Sequence, residues 1–173
     1  MKRCGLVVMG LLGIGAVLLE PWMPRSLEAA AQPQPLALQV QNLDGKMQWL
    51  TDFKGKVVLL NFWSTTCPPC RVETPWFVEF QKRWEKDGFT VVGVSMDDTP
   101  DAIRKFNKQY SVNYPMLAGR DVEDNIQEAT GGIWGMPTSF LIGRDGKVLK
   151  KHLGLTPKAM LETEISEALG RRP

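Results

Sequence analysis

The sequence predicts a mixed α/β domain, a central sheet flanked by helices on both faces, and three observations predict it. Residues 57–63, Val-Val-Leu-Leu-Asn-Phe-Trp, are almost continuously apolar, as in a strand buried on both sides. A long helical pattern and a second apolar run at 89–96 follow, and strand, helix, strand demands a parallel pair. Asp-Gly pairs at 44–45 and 145–146, each between apolar runs, signal hairpins and therefore antiparallel neighbours.

Taken in order, 32–35 is a polar, proline-containing linker, and 36–40 with 47–50 form an N-terminal hairpin about Asn42-Leu43-Asp44-Gly45. The strand at 57–63 should be central. A helix begins near Pro68, with Val72, Trp76, Phe80 and Trp84 as its apolar stripe, a bend at Pro75, and a stop at Asp87-Gly88. After the strand at 89–96, Thr99-Pro100 caps a helix that buries Ile103, Phe106 and Tyr110. A short acidic helix over 122–129 ends at Gly131-Gly132. Strands 138–142 and 147–153 close the sheet, and Thr156-Pro157 opens a last helix with Leu161, Ile165 and Leu169 on its inner face.

The chain has 173 residues, enough for one core domain, here 36–173. Its net charge of +2 and its interspersed Lys, Arg, Asp and Glu exclude a basic stripe, so nucleic acid is not an expected partner. Residues 1–31 read differently. Lys2 and Arg3 precede an apolar run at 5–19, and Ala29-Ala30-Ala31 offers a cleavage site. Two readings stay open, a secretory signal peptide and an uncleaved membrane anchor, and both export the domain. A buried core helix is disfavoured by glycines at 5, 10, 13 and 15. Cys4 precedes the apolar run, where a lipidated cysteine would follow it.

The exported domain then holds two cysteines, in Trp63-Ser-Thr-Thr-Cys67-Pro68-Pro69-Cys70. The pair falls at the carboxyl end of a central strand and the amino end of a helix, where open α/β sheets place their chemistry. Unpaired N–H groups and the helix dipole there stabilise a thiolate. Because Pro68 and Pro69 lack N–H groups, Cys70 and Arg71 are the expected donors to the Cys67 sulfur, and the activation should be moderate. A structural staple is weak, since closing a loop this short restricts the unfolded chain little. A zinc site needs four ligands, and the chain has one histidine, His152, expected to be solvated on a far hairpin. No metal is therefore assigned, although two thiolates suffice for copper(I). Redox exchange between dithiol and disulfide fits best, with no cofactor beyond the Cys67–Cys70 couple itself.

The stretches "LDGKMQWLTDFKGKVVLLNFWSTTCPPCRVETPWF" and "GMPTSFLIGRDGKVLKKHLG" together resemble the exported TlpA/ResA/CcmG-type thiol-disulfide oxidoreductases. The resemblance implies a thioredoxin-like fold with an N-terminal β-hairpin extension. It implies Cys67 as the exposed nucleophile, Cys70 as the buried resolving thiol, and Pro137 as a cis proline whose loop lets the Met136 backbone bind an extended substrate. Trp63, Pro68, Pro69, Met136, Pro137 and Trp134 are the residues expected to bind substrate. Glu73 matches the glutamate that ResA-like proteins hold near their thiols, whereas thioredoxin's buried strand aspartate is replaced here by Asn61. Glu73 is then a proton acceptor for Cys70, the other reading being a first-turn acid that complements the helix dipole. Thr66 stands where the family often has tryptophan. The implied activity is reduction of exported protein disulfides, for example in cytochrome c maturation or copper-site assembly, by a monomer recharged by a membrane thiol donor. Two rivals are weighed. One is a copper(I) metallochaperone using the same thiolates. The other is a thiol peroxidase, for which Thr65 and Thr66 lack the required spacing.

Overall fold

A computed structural model describes residues 33–171. The leader reading of 1–31, Cys4 included, lies outside the described residues. Among those described, no helix is long and apolar enough to cross a membrane.

Seven strands form one sheet: β1 (Gln39–Asn42), β2 (Met47–Trp49), β3 (Val57–Trp63), β4 (Phe89–Ser95), β5 (Met116–Ala118), β6 (Thr138–Ile142) and β7 (Val148–Leu153). Their order is β2-β1-β5-β4-β3-β6-β7. β3 pairs in parallel with β4, and β4 with β5, while every other pairing is antiparallel. Among the described residues four α-helices pack on it: α1 (Pro68–Trp84), α2 (Pro100–Tyr110), α3 (Glu123–Thr130) and α4 (Lys158–Ala168). The expected mixed sheet with an N-terminal hairpin is present.

Alternation along β3 divides the core. Val57, Leu59 and Trp63 join a cluster with Phe77 and Phe80 of α1, Ile103 and Phe106 of α2, and Leu161 and Ile165 of α4. Val58, Leu60 and Phe62 point the other way, to Leu36, Leu50, Phe53 and Ile126 of α3. Both faces are covered, which is why β3 and β4 are buried at every position.

Several expectations are corrected. β5 was not foreseen: three residues after Pro115 are too few to show a period, yet β5 joins the hairpin to β4 through Gln41↔Ala118 and Asn42↔Leu117. Pro35–Ala37 is a 3-10 turn, because proline starts it, and the strand begins only at Gln39. The buried face of α1 is Cys70, Glu73, Thr74, Phe77, Phe80, Gln81 and Trp84. Val72 is exposed, because a strict four-residue spacing drifts round a helix of 3.6 residues per turn. Pro75 lies inside α1, as expected, and does not end it. His152 is not solvated: its ring bonds Glu164 at 2.7 Å, tying β7 to α4.

Candidate functional site

β3 ends at Trp63, and the chain turns through 64–66 to Cys67, the N-cap of α1 (φ −79°, ψ 110°). Pro68 and Pro69 fill the first helical positions, where no N–H is needed. The Cys70 N–H donates to Cys67 Sγ at 3.3 Å. The expected second donor goes elsewhere, since the Arg71 N–H reaches the Cys67 carbonyl at 3.3 Å. Cys67 and Cys70 are joined as a disulfide, with Cα atoms 5.3 Å apart. Cys67 is half-buried while Cys70 is buried, so an approaching thiol meets Cys67 first.

The loop before Cys67 is held from two sides. Asp98, after β4, accepts from the Thr65 N–H at 2.7 Å, the Thr65 hydroxyl at 2.5 Å and the Ser95 hydroxyl at 2.7 Å. From α1, the Arg71 Nε–H donates to the Thr65 carbonyl at 2.8 Å. Thr65 thus has its N–H, hydroxyl and carbonyl all engaged. Parallel pairing of β3 with β4 brings these loops together, because both leave the same edge of the sheet.

Glu73 lies one turn beyond Cys70 on the buried face of α1, past the first turn, so it does not cap the dipole. It is 1% exposed. Its Oε1 accepts from the Thr156 N–H at 3.2 Å, and Oε2 is buried without a partner among the described residues. Burial raises the Glu73 pKa from 4.5 to about 7, only partly offset by the Thr156 bond. Burial likewise keeps Tyr114 neutral, the charge of Glu73 acting in the same direction. Thr156 therefore serves Glu73 rather than capping α4, whose N-cap is Pro157 without a side-chain bond.

The Met136–Pro137 peptide is cis. Phe62 pairs with Thr138, so one step further along the register Pro137 faces the end of β3. Met136 is half-buried, Pro137 buried, Pro68 exposed and Pro69 half-buried. Trp134, at 85% exposure, borders a shallow cavity of about 190 Å³ with Met96, Glu123, Gln127 and Met136. Trp63, like Pro137, is buried among the residues expected to bind substrate. Its indole is 2% exposed and packs on Phe106 at 4.5 Å, above Gly93, where a Cβ would stand 3.1 Å from Nε1. It is a wall of the core under the loop. Among the described residues no three His, Cys, Asp or Glu side chains gather as a metal-ligand set.

Residues 32–151 match the AhpC/TSA family. The chain is 39% identical over 128 residues to the thiol-disulfide oxidoreductase ResA of Bacillus thuringiensis subsp. konkukian, covering 74% of this chain and 72% of that one. The chain belongs to the AhpC/TSA family and to its ResA-type thiol-disulfide oxidoreductases. ResA of Bacillus subtilis is 34% identical over 122 residues, covering 70% of this chain and 66% of that one. Among solved structures, a Chlorobium tepidum protein assigned as the thiol:disulfide interchange protein DsbE superposes with a TM-score of 0.72 at 35% identity, covering 80% and 96% of the two chains. A second protein from Chlorobium tepidum TLS, a thiol:disulfide interchange protein of the thioredoxin family, gives 0.69 at 34%, covering 81% and 99%. The thioredoxin-like fold follows.

For a ResA-type oxidoreductase, the elements missing from the sequence reading are Asp98, Ser95 and Thr156. The Asp-Asp pair after an apolar strand was a visible signal for Asp98, at the sheet edge that carries the cysteines. Thr156 had none, because it contributes a backbone N–H, which any residue but proline supplies.

Proposed function

We propose that the chain is an exported protein-disulfide reductase in which Cys67 attacks and Cys70 resolves. The observation that carries this reading is a conjunction at one helix terminus: an accessible sulfur, a buried sulfur, and one turn inward a buried carboxyl ionising near neutral pH. In the reduced protein the Cys67 thiolate attacks a substrate disulfide, forming the mixed disulfide and expelling the first substrate thiolate. Cys70 then attacks Cys67 Sγ, its proton passing to Glu73, and the second substrate thiolate leaves. Two electrons have moved to the substrate, whose two thiolates take up protons from Glu73 and from water, and the protein holds the Cys67–Cys70 disulfide. A membrane dithiol donor returns it to the reduced form by the reverse exchange. No cofactor takes part.

The substrate chain lies along Met136 and Pro137 with Trp134 at its side and Pro68 and Pro69 opposite, a reading supported by their position at the end of β3. Export is supported by the leader pattern of 1–31, which delivers the domain beyond the cytoplasmic membrane; we take the reductase to act as a monomer. Reduction of apocytochrome c cysteines or copper-site proteins follows from the family resemblance.

The test equilibrates the protein in graded thiol buffers and counts alkylated Cys67 and Cys70 by mass. A two-electron couple near thioredoxin's roughly −270 mV supports an electron donor, and one near roughly −120 mV reverses the direction. Cys70→Ser should trap a mixed disulfide through Cys67. Failure to equilibrate as a couple, with tight copper(I) binding instead, would favour the metallochaperone.

A further inference from the structure

On the α2 side of the disulfide loop, away from the Trp134 cavity, lies a second cavity of about 260 Å³ lined by Thr65, Arg71, Ala102, Lys105, Phe106 and Gln109. Its floor is the buried Phe106 ring, fixed between Trp63 at 4.5 Å and Tyr110 at 4.3 Å. Its polar groups are Thr65, whose hydroxyl is spent on Asp98, and Arg71, Lys105 and Gln109. Neither cation enters an ion pair among the described residues. Arg71 is also positioned in advance: its Nε–H is anchored on the Thr65 carbonyl at 2.8 Å, which leaves the two terminal nitrogens of its fork for another acceptor. The nearby carboxylates are already engaged, Asp98 by Thr65 and Ser95, and Asp101 by Arg104 at 2.7 Å. An apolar floor under converging, unengaged donors is the make-up of a binding pocket, and its charge calls for an anion.

We propose that this cavity is a carboxylate-binding subsite that receives an acidic side chain of the substrate polypeptide, close in sequence to the cysteine that Cys67 attacks. The link to the chemistry is covalent and short. Thr65 stands two residues before Cys67, and the Arg71 N–H holds the Cys67 carbonyl at 3.3 Å. A carboxylate seated between Arg71 and Lys105 therefore orients the substrate disulfide over the sulfur without touching it. The cavity lies across the loop from Met136 and Pro137, so the substrate is read on both sides of its cysteine. The inference rests on the proposed attack by Cys67.

The experiment measures second-order rates of the reduced protein with disulfide peptides carrying Glu, Gln or Lys two or three residues from the cysteine. Neutral hydroxyethyl disulfide and the small dicarboxylate dithiodipropionate are run beside them. Glu peptides should react about three- to fivefold faster than Gln peptides, as one well-placed exposed ion pair allows, and the advantage should shrink with salt. Lys105→Ala should lose the advantage and Lys105→Glu should reverse it toward Lys peptides, with hydroxyethyl disulfide unchanged in both. Equal rates for all peptides, or a Glu preference surviving in Lys105→Glu, would overturn the subsite. Acceleration confined to dithiodipropionate would assign the cavity to a small-molecule disulfide and overturn the polypeptide reading. No reaction with hydroxyethyl disulfide would instead sink the attack by Cys67.

Discussion

Two carboxyl groups serve opposite sides of the disulfide, and their surroundings differ sharply. Asp98, half-exposed at the rim, receives three hydrogen bonds from Thr65 and Ser95. Glu73, buried beneath Cys70, receives one, and its second oxygen receives none. A carboxylate met by three donors is a brace: its geometry is over-determined, and it fixes whatever it holds. A carboxyl left half-unpartnered in the core is a poor brace, because its charged form is penalised by burial. In the proposed mechanism it is the proton site. The difference separates what holds the loop before Cys67 from the carboxyl proposed to take the Cys70 proton, and it yields measurements on each side.

The largest expected effect is on stability against pH. Glu73 ionises near 4.5 in the unfolded chain and at about 7 in the folded one. Between those values the unfolded chain releases the proton while the folded protein keeps it. Stability therefore falls as pH rises from 4.5 to 7, by up to about 3 kcal/mol, and levels off above. Urea unfolding of the oxidised protein from pH 4 to 8 measures this, and Glu73→Gln should flatten the dependence. Parallel curves for the two proteins would make Glu73 an ordinary carboxylate.

Next is the rate of exchange. Glu73→Gln keeps the acceptor for the Thr156 N–H and removes the proton acceptor, so exchange at neutral pH should slow about 100-fold, with little change in stability at low pH. The wild-type rate should also inflect near pH 7 and the variant's should not. An unchanged rate profile would return Glu73 to a structural role. The brace gives the contrasting result. Asp98→Ala strands the Thr65 N–H and the Ser95 hydroxyl, so about 2 kcal/mol of unfolding free energy should be lost, read from urea midpoints at pH 7. A loss below about 0.5 kcal/mol would show that Asp98 is no brace.

How far the sequence foretold this site divides along the same line. Cys67, Cys70 and Glu73 share one helix, so their spacing of three is a local fact readable from the chain. The Met136–Pro137 loop was reached through resemblance. Asp98 and Thr65 meet only because β3 and β4 are parallel neighbours with a fixed register, and pairing of that kind leaves no period in either segment. β5 went unseen for another reason, since three residues are too few to show any period. The burial of Trp63 is legible in the apolar run 57–63, but the space its indole fills is not, because it depends on glycine at 93 in the neighbouring strand and on Phe106.

The smallest effect is the finest test of the brace. Thr65→Val preserves the branched shape and the backbone N–H, and deletes only the hydroxyl that donates to Asp98 Oδ1. That oxygen is near solvent, so water replaces the lost donor, and the cost should be about 0.5–1 kcal/mol in urea, with exchange rates within about twofold. The bonds to Oδ2 from the Thr65 N–H and the Ser95 hydroxyl then carry the remainder of the roughly 2 kcal/mol assigned to Asp98. If Thr65→Val proves as costly as Asp98→Ala, the hydroxyl alone is the brace, and any residue lacking it at 65 would loosen Cys67. A cost confined to Asp98→Ala puts the brace in the two bonds at Oδ2, from the Thr65 N–H and the Ser95 hydroxyl, where it survives side-chain change at 65 and depends on the parallel register of β3 and β4.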